Sequence, residues 1–327
     1  MILYHTISHW STLVTVLFYI FFLISYNQDT IMTDLSIIII SYNTKDITKK
    51  CVETCLASLQ MDSNLRADIV VLDNNSTDGT VAELEKINDS QLKIIRSAEN
   101  FGFSRGNNEA VKHAEGKYIL FLNSDIEVIN DAIPKLYNFF TSTDNKYNFL
   151  GGKLFEKDGK TAQASCGPFY TLPIVCAALF LKGDYYGLTR YSPKTVQKVD
   201  WISGACIMTQ KDVFETLGGF DEKIFMYMEE IDLLYRANKR GLTAGFYPHA
   251  HFIHLGSASS NTRSKPIIQV FRGFLYFYKK HRSHTEYVLL RSMLQLKALI
   301  SLTIGHITSN SYLVMTYEEA LDVAQDR

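Results

Sequence analysis

The chain lacks several features whose absence narrows what it can be. From Met1 to Gln28 there is no Asp, Glu, Lys or Arg. Over the full 327 residues, 33 basic side chains face 34 acidic ones, a formal net charge of -1. No global positive field is therefore present to draw in nucleic acid. The five cysteines lack paired metal spacing, and nothing in them requires an oxidising compartment. Cys51 and Cys55, four apart in a helical pattern, read as reduced core or surface thiols. No G-x-G-x-x-G follows the first strand pattern, so a dinucleotide dehydrogenase fits poorly. There is no internal repeat and no low-complexity tract. What is present, 46% hydrophobic and 20% charged residues, is the composition of a globular protein with a full core.

The uncharged start admits two readings. "WSTLVTVLFYIFFLISY" is close to the roughly 20 residues that cross a bilayer. It lacks the basic flank and small-residue cleavage site of a signal peptide. The first basic residues after it are Lys45, Lys49 and Lys50, which places the main domain in the cytoplasm by the positive-inside rule. Alternatively "MTDLSIIIISYN", from Met32, is the natural start, and residues 1–31 are an upstream extension.

From Leu35 a strand–helix rhythm appears. "LSIIII", "ADIVVLD", "LKIIRS" and "YILFLNSD" are continuous apolar runs, as expected of strands buried on both faces. Helical stretches are expected over 47–59, near 81–87, and after "NFGFSRGNN". This alternation predicts an α/β protein with a mostly parallel central sheet flanked by helices. Ligands then bind beyond the carboxyl ends of the strands, where every polar cluster sits. Residues 151–199, punctuated by Gly167, Pro168, Pro173, Gly183, Gly187 and Pro193, are expected to shape a second side of the cleft. "VDWISGACIMTQKDVFETLGGFDE" reads as a strand and then a helix with Val213, Phe214 and Leu217 inward, closed by Gly218-Gly219. The expected organisation is an apolar segment over 1–31, the α/β domain over 34–260, and a basic amphipathic helical tail over 261–327. Arg263, Lys265, Arg272, Lys279, Lys280, Arg282, Arg291 and Lys297 are opposed over their span only by Glu286. Such a tail suits an anionic membrane surface. The competing reading packs its apolar side on the domain.

Each polar cluster has a plain and a chemical reading. Asp73, with Asn74, Asn75 and Asp78, is turn chemistry or a carboxylate for a ribose or base N–H. "NFGFSRGNN" opens a helix whose start favours an anion such as a diphosphate, with Arg105 adding charge. Asn123-Ser124-Asp125 is a turn, or a carboxylate holding a divalent cation shared with phosphates. Glu229, Glu230 and Asp232 fall in one helical turn, Glu230 about 100° from Glu229. The helix dipole explains one or two acids there; a third points to a general base. His249, His251 and His254 form H-x-H-x-x-H, in which one histidine beside a phosphate-linked ion is favoured over a zinc cage.

Taken in order, "SIIIISYNT", "VVLDNNSTDGT", "NFGFSRGNN", "ILFLNSD", "VDWISGACIMTQKDVFETLGGFDE", "FMYMEEIDLLYR" and "HLGSAS" resemble the family 2 inverting glycosyltransferases of the GT-A fold, in their bacterial rhamnosyltransferase-like branch. The resemblance covers about residues 35–260. It implies transfer of a sugar from a nucleotide-diphosphate donor to an acceptor hydroxyl with inversion, assisted by Mg2+ or Mn2+. It places Ser41, Tyr42, Asn43 and Asp73 at the nucleoside, and Asn100, Gly102, Arg105 and Asn108 near ribose and diphosphate. Asn123, Ser124 and Asp125 fall on the D-x-D-type motif, with Asp125 as the metal carboxylate and His254 near the metal. Glu230 matches the catalytic base, with Glu229 and Asp232 as neighbours able to share the role, and Trp201 lies where an aromatic could stack on the acceptor. Two positions depart from the family pattern: Asn123 replaces a metal carboxylate, and Glu230 replaces the usual Asp. The expected acceptor is a lipid-linked or surface glycan, at the cytoplasmic face of the inner or plasma membrane. Two competing classes are a catalytically degenerate nucleotide-sugar-binding scaffold, supported by those two departures, and a sugar-phosphate nucleotidyltransferase. The latter would carry a Gly-rich basic loop where this chain has Ser41-Tyr42-Asn43.

Overall fold

The structure, a computed structural model, describes residues 33–256 and 264–325. The apolar segment expected over 1–31, Arg263, and the end of the "HLGSAS" motif lie outside the described residues. The expected alternation is present: β1 (Leu35–Ser41), α1 (Lys45–Leu59), β2 (Ala67–Asp73), α2 (Thr80–Leu84), β3 (Leu92–Arg96), α3 (Gly102–Val111) and β4 (Tyr118–Asn123). The four strands pair in parallel in the order β3-β2-β1-β4. Their unbroken apolar runs follow from burial on both faces. Ile37 and Ile39 share a core with Cys51, Val52 and Leu56 of α1. Ile38, Val70 and Leu72 share the opposite core with Ala110 and Val111 of α3.

Beyond β4 the sheet becomes mixed. It continues through β10 (Cys206–Gln210), β6 (Phe149–Phe155), β11 (Ala244–His254) and β5 (Ile126–Val128), with β8 (Gln197–Val199) also on β11. β10 is antiparallel to both β4 and β6, and β6 is parallel to β11. The carboxyl ends of β1, β2, β4, β6 and β11 therefore meet the starts of β10 and β5 along one edge. Residues 151–199 supply α5 (Leu172–Phe180) and β7 (Cys166–Gly167), which pairs with β9 (Trp201–Ile202) in a small second sheet. α4 (Ala132–Thr141) follows β5. α6 (Lys211–Thr216) follows β10 and ends at Gly218 and Gly219, both at positive φ. A side chain at Gly219 would also meet Asn108 Oδ1 at 2.6 Å, so this turn tolerates only glycine.

α7 (Glu229–Lys239) leads into β11, and three helices close the chain: α8 (Ser264–His281), α9 (His284–Ile307) and α10 (Ser311–Gln325). Ser283 and Glu286 start α9 with a reciprocal capping box. Phe274, Phe277, Tyr278, Leu290, Leu294 and Ala320 of these helices join the same core as Ile231 and Leu234 of α7. One apolar side of the tail is thus packed against the domain. Much of its basic excess is also engaged internally: Lys280 with Asp221 and Asp232, and Arg291 with the carbonyls of Ala324 and Gln325. All five cysteines are free.

Candidate active site

The acids of α7 are presented by an unusual turn. Tyr227 and Met228 both adopt positive φ, 68° and 75°. Two successive non-glycine residues in that region store strain, of order 1–2 kcal/mol each. The turn is tied to the start of α3, where the Phe103 amide donates to the Phe225 carbonyl at 2.9 Å. Gly102 there has φ +73°, and a side chain would strike the Phe225 ring at 2.6 Å.

Glu229 and Glu230 follow directly. Burial, and then the charge of Glu230, pushes the Glu229 carboxyl well above the usual range. Burial likewise raises Glu230, with Arg190 pulling the other way. Each keeps one oxygen, Oε2, buried without a hydrogen-bond partner. Asp232 behaves differently. Burial would raise it, but His281, Lys280 and Arg236 overcome burial and draw it down to about 2. It accepts from His281 Nε2 at 2.6 Å, Lys280 Nζ at 2.7 Å and Arg236 Nε at 2.7 Å, with no exposed surface. Arg236 also donates to the carbonyls of Leu217 and Gly219. The shared base role expected of Asp232 is not available to this side chain. Its oxygens fasten α7 to α8 and to the turn after α6.

The end of β4 faces the same space. The Asn123 amide donates to the Ala205 carbonyl at 3.2 Å. The neighbouring Gly204 lies against Glu230, whose Cβ is 3.8 Å from where a Gly204 side chain would begin. Tyr227 links the two acids: its phenol is pushed up by burial and then by the charges of Glu229, Asp125 and Glu230. Asp125 is 7% exposed. Its Oδ1 is 3.3 Å from His254 Nε2, and Asn123 Nδ2 is 3.4 Å from the same nitrogen. On the other side of the ring, His254 Nδ1 is 2.7 Å from Gln163 Oε1. A carbonyl oxygen there calls for a proton on Nδ1 and orients the ring with Nε2 toward Asp125. The Asn123 amide group, donating to Nε2, agrees with that tautomer, and its Oδ1 is buried with no partner. Asp125, His254 and Asn123 thus bring a carboxylate, an imidazole and an amide together, a set of groups that suits a divalent cation. Among the described residues no group of three or more His, Cys, Asp or Glu forms a protein-only metal cage. These residues therefore fit an ion that takes further ligands from a bound molecule. His251 turns instead to the Pro248 carbonyl.

The end of β2 adds a third element. Asp73 is 3% exposed; its Oδ2 accepts from the Ser76 amide and its Oδ1 has no partner. Asn74 donates to the Gly102 carbonyl and accepts from the Phe101 amide, holding the α3 loop against the strand end. Asn100 Oδ1 receives the Gly102 amide. Arg105 lies exposed over the Phe101 ring, paired with Glu99. Tyr42 is exposed at the end of β1, and Asn43 is bound through backbone and side chain to Ser76 and Thr77. Ser124 is half-buried between Asn123 and Asp125.

Three expected residues are otherwise employed. The Ser41 hydroxyl is fully buried and turned to Thr44 and Thr48, so only its backbone reaches the site edge. Asn108 clamps the turn after α6, bonding the Phe220 amide and carbonyl and Glu222. Trp201 is 3% exposed, stacked on Tyr170 and donating to the Pro168 carbonyl, and offers no face to an acceptor sugar. Sequence reasoning missed Gln163, Tyr227, Asn74 and Arg190 as parts of the site. Asn74 stood inside a motif already singled out. Gln163 and Arg190 carried no local signal, since only the folding of residues 151–199 brings them near His254 and Glu230.

The family model for glycosyl transferase family 2 matches residues 36–217, more than half of the chain. A low-salt glycan biosynthesis hexosyltransferase, Agl10, of Haloferax volcanii is 29% identical over 253 residues, 76% of this chain and 75% of that protein. An N-acetylglucosaminyl-diphospho-decaprenol L-rhamnosyltransferase of Mycobacterium tuberculosis is 25% identical over 228 residues, 62% of this chain and 71% of that protein. The structure of a mannosyltransferase of Pyrobaculum calidifontis, PcManGT in complex with GDP-Man and Mn2+, superposes with a TM-score of 0.53 at 14% identity, covering 89% of this chain and 75% of that one. The sheet order and that superposition identify the fold as GT-A-like. The chain belongs to glycosyl transferase family 2 and is a nucleotide-sugar-dependent glycosyltransferase.

Proposed function

We propose that the protein transfers a hexose, with a rhamnose-type donor favoured, onto a hydroxyl of a lipid-linked or surface-glycan acceptor, with inversion at the anomeric carbon. The observation that carries this reading is the set of buried acceptor oxygens left unpaired along one sheet edge: Asp73 Oδ1, Asn123 Oδ1, Glu229 Oε2 and Glu230 Oε2. Buried polar groups are normally paired, so a cluster of unpaired acceptors at the end of a sheet is a mark of a site that a ligand completes. Asp73 would bind the nucleoside, with the loop positioned by Asn74 and Asn100 beneath the diphosphate. Asp125, His254 and Asn123 would hold Mg2+ or Mn2+, which when bound neutralises charge developing on the leaving diphosphate. Glu230 accepts the acceptor hydroxyl's proton as its oxygen attacks from the face opposite the diphosphate. Burial raises its pKa, which makes it a stronger base than an exposed carboxylate, while Arg190 pulls the other way. Burial and the charge of Glu230 hold the Glu229 carboxyl well above the usual range, which sets it apart from Glu230, the candidate base.

The names of the relatives support the glycan and prenyl-diphosphate side of this reading. We place the enzyme at the cytoplasmic membrane surface, peripheral or anchored through residues 1–31, with the domain over 34–260 and the tail over 261–327. The test is a donor screen: purified protein, a panel of nucleotide sugars, membrane extract as acceptor source, and release of nucleoside diphosphate as readout. The proposal expects release with a deoxythymidine- or uridine-diphosphate sugar and a product of inverted anomeric configuration by NMR. Nucleotide-sugar binding without product across the panel would favour the scaffold reading.

A further inference from the structure

One side of α9 has no partner among the described residues. Leu290, Leu294, Ala298, Ser301 and Gly305 are buried against the other helices. On the opposite side Val288, Leu289, Leu296, Leu299, Ile300 and Ile307 are exposed. Thr285, Ser292, Thr303 and His306 share that arc with them, and no Asp, Glu, Lys or Arg falls in it. The helix has 24 residues, about 36 Å of length, so the exposed strip runs far along the surface. Contiguous apolar surface of this kind marks an interaction site.

At the amino-terminal end of the strip, where α8 turns into α9, lies a cavity of about 290 Å³ lined by Lys279, Arg282, His284, Tyr287 and Arg291. Its cations are only partly used inside the protein. Arg291 donates to the Ala324 and Gln325 carbonyls at 2.8 and 2.7 Å. Arg282 stacks on Tyr235, Phe277 and Tyr278, and its Nε is buried without a hydrogen-bond partner. Glu286, the nearest acid in sequence, is turned back onto Ser283 in the capping box. The exposed acids of the tail, Glu318, Glu319 and Asp322, are on α10.

We infer that α9 lies in the plane of an anionic phospholipid bilayer, its uncharged strip in the headgroup–acyl boundary and a lipid phosphate in the cavity lined by Lys279, Arg282, His284 and Arg291. This deepens the membrane-surface reading above and rests on it. Charge selects the occupant: a cationic cavity at the amino-terminal end of a helix that carries an apolar strip matches a phosphate joined to acyl chains. α9 is long and apolar enough to cross a bilayer. Its buried side, however, is fixed to α8 and α10, whose Lys279, Lys280, Glu318 and Glu319 do not belong in hydrocarbon. The helix therefore lies on the membrane.

The test is photo-crosslinking of the full chain carrying Leu296→benzoylphenylalanine, on phosphatidylcholine vesicles with and without phosphatidylglycerol. The expected product is a phospholipid adduct at position 296, stronger with phosphatidylglycerol. Lys279→Glu with His284→Glu should cut the yield on phosphatidylglycerol vesicles on the order of tenfold and leave the yield on phosphatidylcholine unchanged. An adduct to a second copy, an adduct to residues 1–32, or no lipid adduct would overturn the membrane face. Yields indifferent to phosphatidylglycerol, or to the double substitution, would overturn the headgroup cavity. Labelling does not require sugar transfer. A chain that labels lipid but never releases nucleoside diphosphate would count against the proposed chemistry and leave this surface standing.

Discussion

Asp68 and Asp73 lie at opposite ends of β2, 5% and 3% exposed, and the protein treats them in opposite ways. At the amino end Asp68 is completed: the Ser36 hydroxyl donates to Oδ1 and Lys93 to Oδ2 at 2.9 Å. Ser36 in turn accepts the Gly116 amide at 2.8 Å. At the carboxyl end Asp73 Oδ1 has no donor, and neither do Asn123 Oδ1, Glu229 Oε2 and Glu230 Oε2 along the same edge. An unpaired buried polar group costs about 1–3 kcal/mol. One edge of the sheet is therefore built for stability, and the other carries a cost that a donor and an acceptor would offset. The same contrast recurs within α7, where Asp232 is held by Arg236, Lys280 and His281 and Glu230 keeps an oxygen free.

The sharpest break between the two classes is expected in turnover. Glu230→Gln and Asp125→Ala should each lower transfer by about 10²–10⁴-fold, with thermal midpoints near wild type, read by nucleoside diphosphate release and by calorimetry. Asp232→Asn should invert that pattern. Removing the one anion shared by Arg236, Lys280 and His281 should cost about 3 kcal/mol of stability, measured by urea unfolding. The wild-type pH dependence carries the same signature. The folded pKa of about 2 lies below the ordinary 3.8, so this stabilisation is complete above about pH 4. It fades as the pH falls through 2, an effect of about 2 kcal/mol that Asp232→Asn should abolish.

Why some of this was legible and some was not follows from where each signal resides. The parallel half of the sheet was readable because strands buried on both faces must be unbroken apolar runs, as "LSIIII" and "ADIVVLD" are. Asp125 and Glu230 were readable because they end such runs or crowd one helical turn. Asp232 and Asn108 were not separable from them, because sequence gives residue type and not direction. Lys280 and His281, which claim Asp232, come from a helix 48 residues away. Trp201 was misplaced for a similar reason: an indole in a motif could stack on a sugar or fill a core, and Tyr170 and Pro168 decide for the core. Gln163 speaks to His254 across 91 residues, through a segment without periodicity.

Smaller effects sharpen the comparison further. Asp68→Asn should destabilise by about 1–2 kcal/mol while leaving donor affinity unchanged. Asp73→Asn should do the reverse, weakening donor binding about tenfold in titration calorimetry with little loss of stability. Gln163→Leu, which frees the His254 ring, should weaken Mn2+ binding about tenfold by electron paramagnetic resonance, in the range expected when a ligand's supporting hydrogen bond is removed. Glu229→Gln should change least. Burial disfavours the charged form of this carboxyl, and an amide imitates the uncharged form, so turnover should stay within about threefold of wild type.

The central claim is that Asp125 and Glu230 serve one reaction across a shared cleft, the first on the donor side and the second on the acceptor. The most direct measurement is donor binding and single-turnover transfer on the same preparation of Glu230→Gln. Wild-type affinity for the nucleotide sugar with transfer slowed by at least about a hundredfold is the predicted result. Transfer at near wild-type rate would contradict the account and remove Glu230 from the chemistry.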